Sequence, residues 1–530
     1  MKRIAYIFDP EVGNFHYGIG HPMKPHRISI TNALIHAYRL DKHMDIIVPI
    51  VPVSSDSQSV CDDNVKYQNI GNSMNWLESN KNSSNDNGNN DIDSNNSIDN
   101  IAGDEIEKIK KDEQDDFLRI SKKMKSLRNS DTNQSRDINS NIGSLHNEKE
   151  YSDTYSNNDI IGNTSFTCIY DSSKSSQQSN TITKDNCNDN NNSNNNNNDS
   201  NTNISAINNN TVNINTSNIT SADNINLAKD FLYIYHTPEY ISSLQTESKT
   251  DDCPCFTGLE EYYVRYSYST LTACYLLSHC NYDIAINYSG GLHHAKKTEA
   301  SGFCYVNDIV LGIKYMLHTF SKIMYIDIDI HHGDGVEESF YDNNNVLTIS
   351  FHKYGDNYFP QTGELFCNGT KDGKYYSVNV PLKTGIDDSA FLYMFKPVVR
   401  KAYEKFKPDV IVLQCGGDSL ANDKIGCFNL SLYGHGECVK FVKKLGAKLL
   451  ILGGGGYTPR NVSRLWCYET SILCGVSLSN NIPKDCVYYE HFAGDYSLHP
   501  NLFKKFENFN TRKYLDTVKG YVLDMLDNVK

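Results

Sequence analysis

The stretch Tyr325-Ile-Asp327-Ile-Asp329-Ile-His331-His332-Gly-Asp334-Gly335 decides how this chain folds. It continues an apolar run that begins at Lys322, so it predicts a buried strand that ends in a cluster of Asp, His and Gly. Asp327, Asp329 and His331 alternate with isoleucine, and a period of two places them on one face at the end of the strand. Aligned carboxylates at the end of a buried strand are costly unless they are paired or bind a metal ion. Because carboxylate and imidazole together suit zinc, the stretch predicts a metal site at this strand end.

Similar short apolar runs recur along the chain, and helical patterns separate most of them. Several are apolar on both faces, which is typical of a parallel sheet covered by helices. Glycine-rich or polar turns follow their carboxyl ends, where open α/β sheets place their sites. The pattern predicts one doubly wound α/β domain with a composite site. The runs are Ile4–Phe8, Asp283–Tyr288, Lys322–Ile330, Val346–Phe351, Tyr375–Val380, Asp409–Gln414 and Lys448–Leu452.

The apolar content of the 530 residues is uneven. Hydrophobic residues make up 38% of the chain, against a usual ~45–50%. The deficit lies in residues 54–228, where Asn, Ser and Asp dominate, and it predicts a disordered insertion. Residues 1–53 contain one predicted strand and one or two helices, which is too little core to fold alone. They are therefore expected to pack on residues 229–530 as parts of one domain. The alternative is that the insertion separates two domains.

A pattern inside the insertion has two interpretations. Apolar residues from Ile106 to Leu127 recur at roughly helical spacing, with Lys and Glu between them. A transient solvated helix is the simpler interpretation, and a partner-binding helix is the alternative.

Charge and cysteine content exclude several classes of protein. The net charge of −14 argues against a chain that binds nucleic acid by overall electrostatics. The 15 Cys include no CxxC pair and are scattered through apolar segments, as expected in a reducing compartment. No signal peptide is expected at the N-terminus, because Asp9 interrupts its apolar run. No apolar stretch approaches the length that a membrane span needs.

Three further segments carry residues suited to catalysis at the predicted metal site. His293 and His294 follow Ser289-Gly-Gly-Leu and can serve as base and electrostatic partner if carboxylates hold them, with Asp327 and Asp334 available. Asp418, after the strand DVIVLQ, is either a third metal ligand or a helix cap.

Aromatic residues could complete the site. Tyr457 follows four glycines and can donate its phenolic proton to a developing oxyanion. Phe303 and Phe359 either line an apolar tunnel or belong to the ordinary core.

Long motifs in this chain resemble those of class I zinc-dependent histone deacetylases. Within that family the chain most resembles the member that is bound in nuclear corepressor complexes. The resemblance covers nearly everything outside the Asn-rich insertion. The motifs are DPEVGNFHYGIGHPMKPHR (9–27), DDCPCFTGL (251–259), GGLHHAKKTEASGFCYVND (290–308), YIDIDIHHGDGVEESFY (325–341), SFHKYG (350–355), GCFNLSLYGHGECV (426–439) and GGGGYTPRNVSRLWCYETS (453–471).

The resemblance implies the family's fold, a parallel sheet of about eight strands with helices on both faces, as in arginase-like and deacetylase-like proteins. It also implies roles for individual residues. The implied zinc ligands are Asp329, His331 and Asp418. The tandem histidines His293 and His294 pair with Asp327 and Asp334, and Tyr457 stabilises the transition state. Phe303 and Phe359 flank the acyl-lysine channel with Gly302 beside them, and Asp252 at the rim holds the substrate backbone.

Two further binding sites follow from the same resemblance. A structural potassium ion is implied at Asp327, Asp329, His331, Ser350 and Phe351. An inositol polyphosphate between the deacetylase and its corepressor is implied at His16, Gly20, Lys24, Lys424 and Arg460.

The implied function is zinc-dependent removal of acetyl groups from lysine side chains of histones and of other proteins. It predicts transcriptional repression through chromatin in the nucleus, with the cytoplasm as a second location. The partners expected are acetylated histone tails and corepressor subunits, without sequence-specific nucleic acid or membrane. One alternative is a deacetylase of small acetylated amines such as acetylpolyamines, and another is a catalytically silent scaffold of a repressor complex.

Three positions depart from the family's pattern. Gly417 stands where alanine is usual, directly before Asp418, and Gln361 stands where glycine is usual. Lys424 stands where arginine is expected, and lysine keeps the charge but lacks the bidentate fork for a phosphate.

Overall fold

A nine-stranded sheet organises the protein in a computed structural model, which describes residues 2–49, 168–170, 231–244 and 252–530. The strand order is β3-β2-β1-β4-β9-β8-β5-β6-β7, and all neighbouring pairs except β2–β3 are parallel. The predicted α/β class with a mainly parallel sheet is confirmed. The strands are β1 (Ile4–Ile7), β2 (Asp45–Pro49), β3 (Cys168–Tyr170), β4 (Ile284–Asn287), β5 (Ile323–Asp327), β6 (Val346–Lys353), β7 (Ser377–Leu382), β8 (Val410–Gln414) and β9 (Lys448–Leu452).

Helices cover both faces of the sheet, so the central strands are buried on both sides, as their apolar runs predicted. One face carries α1 (Arg27–Ala37), α6 (Asp388–Phe406), α7 (Leu432–Leu445), α8 (Pro459–Cys474) and α9 (Arg512–Leu526). The other face carries α2 (Pro238–Ser243), α3 (Leu259–His279), α4 (Asp308–Met316) and α5 (Asp334–Ser339). None of the helices within the described ranges combines the length and apolar character of a membrane span.

The N-terminal residues contribute two strands to the sheet, where one was predicted. β1 pairs with β4 on one side and with β2 on the other, so residues 2–49 and the C-terminal part share one sheet. Within the described residues 2–49, β1 thus finds its neighbours in the rest of the sheet. The sequence DIIVP of β2 is short and ends in proline, so it was not recognised as a strand. In the structure β2 is only partly buried, and Val48 is 41% exposed.

Three residues of the segment 54–228 add a strand at the edge of the sheet. β3 runs antiparallel to β2, with Val48 opposite Ile169. The sequence predicted no strand in this segment. The remainder of that segment, including the helical pattern from Ile106 to Leu127, lies outside the described residues.

Candidate active site and metal centre

The predicted chemical groups meet at one edge of the sheet. The loops that follow β4, β5, β6, β8 and β9 carry the His293 pair, the Asp329 cluster, Phe359, Asp418 and Tyr457 respectively. Because these strands are parallel, their carboxyl ends lie on the same edge, which is where such sheets bind ligands.

β5 is shorter than the sequence predicted, and this changes how the ligands are presented. The strand ends at Asp327 and does not reach Ile330. Beyond it, carboxylates take the backbone amides: Asp327 Oδ1 accepts from Asp329 N at 3.1 Å, and Asp418 Oδ1 accepts from Ile330 N at 2.9 Å. The prediction that Asp329 belongs to the strand, with His331 directly after its last residue, is therefore wrong. They lie on an irregular segment that the acidic side chains themselves shape.

Asp329, His331 and Asp418 form a buried cluster suited to a metal ion. One ligand atom from each lies within 4.8 Å of the others. His331 Nδ1 is 3.2 Å from Asp329 Oδ1 and 3.1 Å from Asp418 Oδ2. Zinc binds carboxylate oxygens and imidazole nitrogens, and a set of three protein ligands leaves a coordination position for water or substrate.

The surroundings of this cluster favour bound charge. Glycines make room for the carboxylates, since an added Cβ at Gly416 would lie 2.1 Å from Asp329 Oδ2 and one at Gly455 2.1 Å from Asp418 Oδ2. Burial would lower the pKa of His331, but its hydrogen bonds to the two carboxylates outweigh burial and raise that pKa to about 10. The two carboxylates thus attract a proton to His331, and a cation held between them would take that proton's place. The residues present fit zinc.

Each of the tandem histidines is held by its own carboxylate. His293 Nδ1 is 2.7 Å from Asp327 Oδ2, and His294 Nδ1 is 2.7 Å from Asp334 Oδ1. The pairing implied by the resemblance is therefore present in the structure. Both rings are at least 95% buried, so their Nε2 atoms are the ones left to act in the site.

The two histidines have opposite protonation tendencies. Burial would lower the pKa of His293, but the charges of Asp327 and Asp329 outweigh it and raise the pKa to about 9. For His294, burial and then the charge of His293 lower the pKa to about 3. Around neutral pH, His294 is therefore free to accept a proton while His293 carries a positive charge.

Tyr457 closes the site from the loop after β9. Its backbone N donates to Asp423 Oδ2 at 2.8 Å, which fixes the residue, and its side chain is buried. Burial, with the charges of Asp418 and Asp329, raises the pKa of the hydroxyl well above 10. The phenol therefore stays protonated and remains a hydrogen-bond donor.

Two phenylalanines stand at the mouth of the site. Phe303 packs edge-on against Tyr457 at 5.6 Å between ring centroids, and Phe359 against His294 at 5.0 Å. Phe359 is 40% exposed, so it is a rim residue and not part of the core. Gly302 N donates to Asp252 Oδ2 at 2.8 Å, which ties the predicted rim carboxylate to the Phe303 side of the opening.

The implied potassium and inositol phosphate residues are placed as follows. Ser350 and Phe351 lie on β6, with Ser350 directly opposite Asp327. His16 and Gly20 lie on an exposed loop that leads to Lys24. The loop of Lys424 and the start of α8 at Arg460 are joined by a hydrogen bond from Thr458 Oγ1 to Asn422 O at 3.1 Å.

Supporting residues were missed by the sequence analysis. Gln414 Nε2 donates to Asp329 Oδ2 at 2.9 Å, and the polar end of the run DVIVLQ was a signal for it. Tyr358 stacks on the His331 ring at 5.3 Å, and nothing in its local sequence marked it. Buried Arg27 donates to the carbonyls of Gly454 and Gly456, and so braces the Gly-rich loop from α1.

Comparisons with known proteins agree with this geometry. A family model described as "Histone deacetylase domain" matches residues 198–473. "Histone deacetylase 2" of Oryza sativa subsp. japonica is 52% identical over 298 residues, which cover 56% of this chain and 58% of that protein. "Histone deacetylase 6" of Arabidopsis thaliana is 46% identical over 312 residues, which cover 56% of this chain and 66% of that protein. The chain thus matches little more than half the length of the rice relative and two thirds of the Arabidopsis one.

Proposed function

Because this chain belongs to the histone deacetylase family, we propose that it hydrolyses the acetyl amide of lysine side chains, with histone tails as substrates. The observation that carries the proposal is the buried Asp329–His331–Asp418 cluster, which lies beside a neutral histidine, a charged histidine and a tyrosine hydroxyl. These are the groups that metal-assisted amide hydrolysis requires.

Zinc is the proposed metal, held by Asp329, His331 and Asp418. When bound there, zinc would supply a Lewis acid for an amide carbonyl and for a water molecule. The remaining chemistry belongs to side chains of this protein.

His294 is the proposed general base and later the general acid. Its Nδ1 is engaged by Asp334, so Nε2 accepts the proton of the attacking water. The same Nε2 then donates that proton to the departing lysine amine. His293, whose positive charge Asp327 stabilises, supplies electrostatic stabilisation for the developing negative charge.

Tyr457 and the rim residues are proposed to orient the substrate. The Tyr457 hydroxyl donates a hydrogen bond to the oxyanion that develops from the acetyl carbonyl. The aromatic walls of Phe303 and Phe359 favour a neutral acylated lysine over the charged amine. Asp252 uses one carboxylate oxygen for Gly302, which leaves the other for backbone amides of a peptide substrate.

The direct test is an assay of the purified protein on acetyl-lysine histone peptides and on acetylpolyamines, with and without a chelator. Chelator-sensitive activity on the peptides supports the proposal. Preference for acetylpolyamines would favour the small-amine alternative, and no activity on either with zinc bound would favour a silent scaffold. His331→Ala should lose zinc and nearly all turnover. Asp356→Ala, which changes an exposed side chain, is the control and should leave zinc binding and turnover intact.

A structural potassium ion beside β6 is a further part of the proposal, at Asp327, Asp329, His331, Ser350 and Phe351. The register that sets Ser350 against Asp327 supports it. If potassium raises the stability of the protein and sodium does not, the assignment is supported. Equal stabilisation by both ions would refute it.

We also propose a nuclear role in a corepressor complex, with an inositol polyphosphate bound near His16, Gly20, Lys24, Lys424 and Arg460. What supports it is that the exposed cations Lys424 and Arg460 lie on segments joined by the Thr458–Asn422 hydrogen bond, where a polyanion would relieve their mutual repulsion. Inositol polyphosphate should raise activity only in the presence of a corepressor activation domain, and less so at high salt. Equal stimulation of a Lys24→Ala/Arg460→Ala double variant would refute this.

A further inference from the structure

Three hydrogen bonds from outside the loop hold the two peptide groups between Cys415 and Gly417, just before Asp418. Trp466 Nε1 donates to Cys415 O at 2.9 Å, and His435 Nε2 donates to Gly416 O at 3.0 Å. Gly417 N donates to Gly455 O at 3.0 Å. The segment that presents Asp418 is thus fixed from α7, from α8 and from the loop after β9.

The His435 contact is the costliest of the three to build. Its ring is fully buried, and so is its second partner Glu469, whose Oε1 lies 2.5 Å from His435 Nδ1. Because a carbonyl can only accept, the hydrogen on Nε2 is fixed by Gly416, and Glu469 fixes the other end of the ring. A buried pair of this kind adds little net stability compared with apolar packing, so a role in the site is the better explanation for its presence.

Gly416 connects the His435–Glu469 pair to the candidate metal centre. Its backbone N donates to Gln414 Oε1 at 2.8 Å, and Gln414 in turn donates to Asp329 Oδ2. Two consecutive glycines, Gly416 and Gly417, give this segment more backbone freedom than other residues would, and neither has a side chain to pack. External anchoring therefore replaces the rigidity that the local sequence lacks.

We propose that His435 and Glu469 are positioning residues for the metal centre. They fix the Gly416 peptide and thereby hold the Asp418 carboxylate against Asp329 and His331. The proposal rests on the proposed zinc function, but it concerns residues of α7 and α8 that touch neither the metal ligands nor the substrate.

The test is the rate at which the zinc-loaded protein releases zinc to an excess of chelator, followed by metal content and independent of turnover. His435→Leu removes both hydrogen bonds and should release zinc about 10–100-fold faster, as is usual when a group that orients a metal ligand is lost. His435→Gln keeps an amide donor for Gly416 and should recover part of that loss. Glu469→Gln keeps a side chain beside the His435 ring but removes its charge. Its rate of zinc release should lie between those of His435→Leu and His435→Gln.

A second substitution connects the effect to the loop. Gly417→Ala restricts the backbone, and its Cβ would lie 3.2 Å from Val462 Cγ2 and 3.4 Å from Leu465 Cδ2, tight contacts that a shift of these side chains by a few tenths of an ångström relieves. In the His435→Leu background it should slow zinc release about two- to fivefold. In the unaltered background the gain should be smaller, because His435 already anchors the loop.

Tyr514→Phe is the matched control for general destabilisation. It deletes a buried hydrogen bond to Pro381 O, at 3.0 Å, between α9 and β7. Zinc release at the unaltered rate from this control, but at increased rates from His435→Leu and Glu469→Gln, supports the proposal. If His435→Leu does not fold, His435→Gln and Glu469→Gln decide in its place. Unaltered release from the folded variants overturns the proposal, whereas an unaltered protein that binds no zinc refutes the proposed function itself.

Discussion

The role proposed for the Tyr457 hydroxyl is in the transition state and not in binding alone. It stays protonated, and its ring is fixed by Phe303 and by the backbone bond to Asp423. Tyr457→Phe removes only the donor, so zinc content should not change while kcat falls by about 10²–10³. Steady-state kinetics on an acetyl-lysine peptide measures this.

Tyr358→Phe is the matched control for that variant. It removes a hydroxyl from the same rim, but that hydroxyl faces Ile425 O at 3.4 Å. The control should keep kcat within a few-fold. A Tyr457→Phe effect that falls mainly on KM would mean that the hydroxyl only binds substrate.

Gln361, which stands where glycine is usual, has a conformational cost that the structure reveals. Its φ is +68°, in the left-handed region, where a side chain costs roughly 1–2 kcal/mol. Gln361→Gly removes that cost, although glycine's freedom in the unfolded chain takes back ~0.4–1 kcal/mol. We expect a net gain of about 0.5–1 kcal/mol in the free energy of unfolding, measured by urea denaturation.

Asn357→Gly offers a comparison in the same loop. Asn357 also has a positive φ, +53°, but asparagine tolerates that region better than glutamine. Its gain should therefore be smaller. A larger gain at Asn357 than at Gln361 would contradict the conformational explanation.

At the scale of the element, the sequence predicted where strands begin better than where the site segments leave them. The bounds of β9 were predicted correctly because the run is uniformly apolar and glycine follows it. β5 was predicted too long, because alternating Asp and Ile imitate a strand when the partners of the backbone amides are unknown. The candidate ligands Asp329, His331 and Asp418 nevertheless lie together, since their residue types and order do not depend on where the strand ends.

The loop that carries the tandem histidines depends on a buried histidine from another segment. His236 Nε2 accepts from Asn307 N at 3.0 Å, and its Nδ1 faces Lys297 O at 3.2 Å, so the ring is neutral with its proton on Nδ1. Asn307 in turn donates to Ala295 O at 2.9 Å. Protonation of His236 Nε2 would place its N–H against the N–H of Asn307, so the hydrogen bond between them would be lost.

Stability should therefore depend on pH through His236. Burial lowers its pKa from 6.5 in the unfolded chain to about 4. Between these values the unfolded state binds the extra proton, so this contribution to stability is full above pH 6.5 and is lost as pH falls towards 4. The free energy of unfolding, measured in urea across this range, should depend less steeply on pH in His236→Gln than in the unaltered protein. The difference in slope should be up to about 1.4 kcal/mol per pH unit. Parallel curves for the two proteins would contradict this role.

At the scale of the whole molecule, the sheet joins parts of the chain that are far apart in sequence. The requirement that residues 1–53 find a core elsewhere followed from their size, and β1 lies between β2 and β4 as that requirement demands. Pairing of β3 with β2, and the meeting of His435 with Glu469 under the Asp418 loop, had no local signal. Both depend on tertiary proximity, which no period or motif in a single sequence encodes.

The position of β3 makes the role of residues 54–228 testable. β3 is at the edge of the sheet, and β2 and β1 separate it from β4, the nearest strand that carries site residues. Removal of residues 60–225, with a short flexible linker in their place, should leave deacetylase activity nearly unchanged. Loss of the antiparallel partner of β2 costs about 1–2 kcal/mol, and shortening the connection by about three halvings returns ~0.6 kcal/mol per halving. The free energy of unfolding should therefore change little.

A second deletion that retains residues 165–173 between two linkers separates the strand from the rest of the insertion. It keeps Cys168–Tyr170 opposite Ile47–Pro49 and should therefore be more stable than the full deletion by about 1–2 kcal/mol, provided that the linkers span the gap. Activity should be the same in both, since neither changes the edge of the sheet where Asp329, His331 and Asp418 meet. If both deletions were insoluble or inactive, residues 54–228 would have to support the domain itself. If only the full deletion failed, the three-residue strand would be the part that the fold requires.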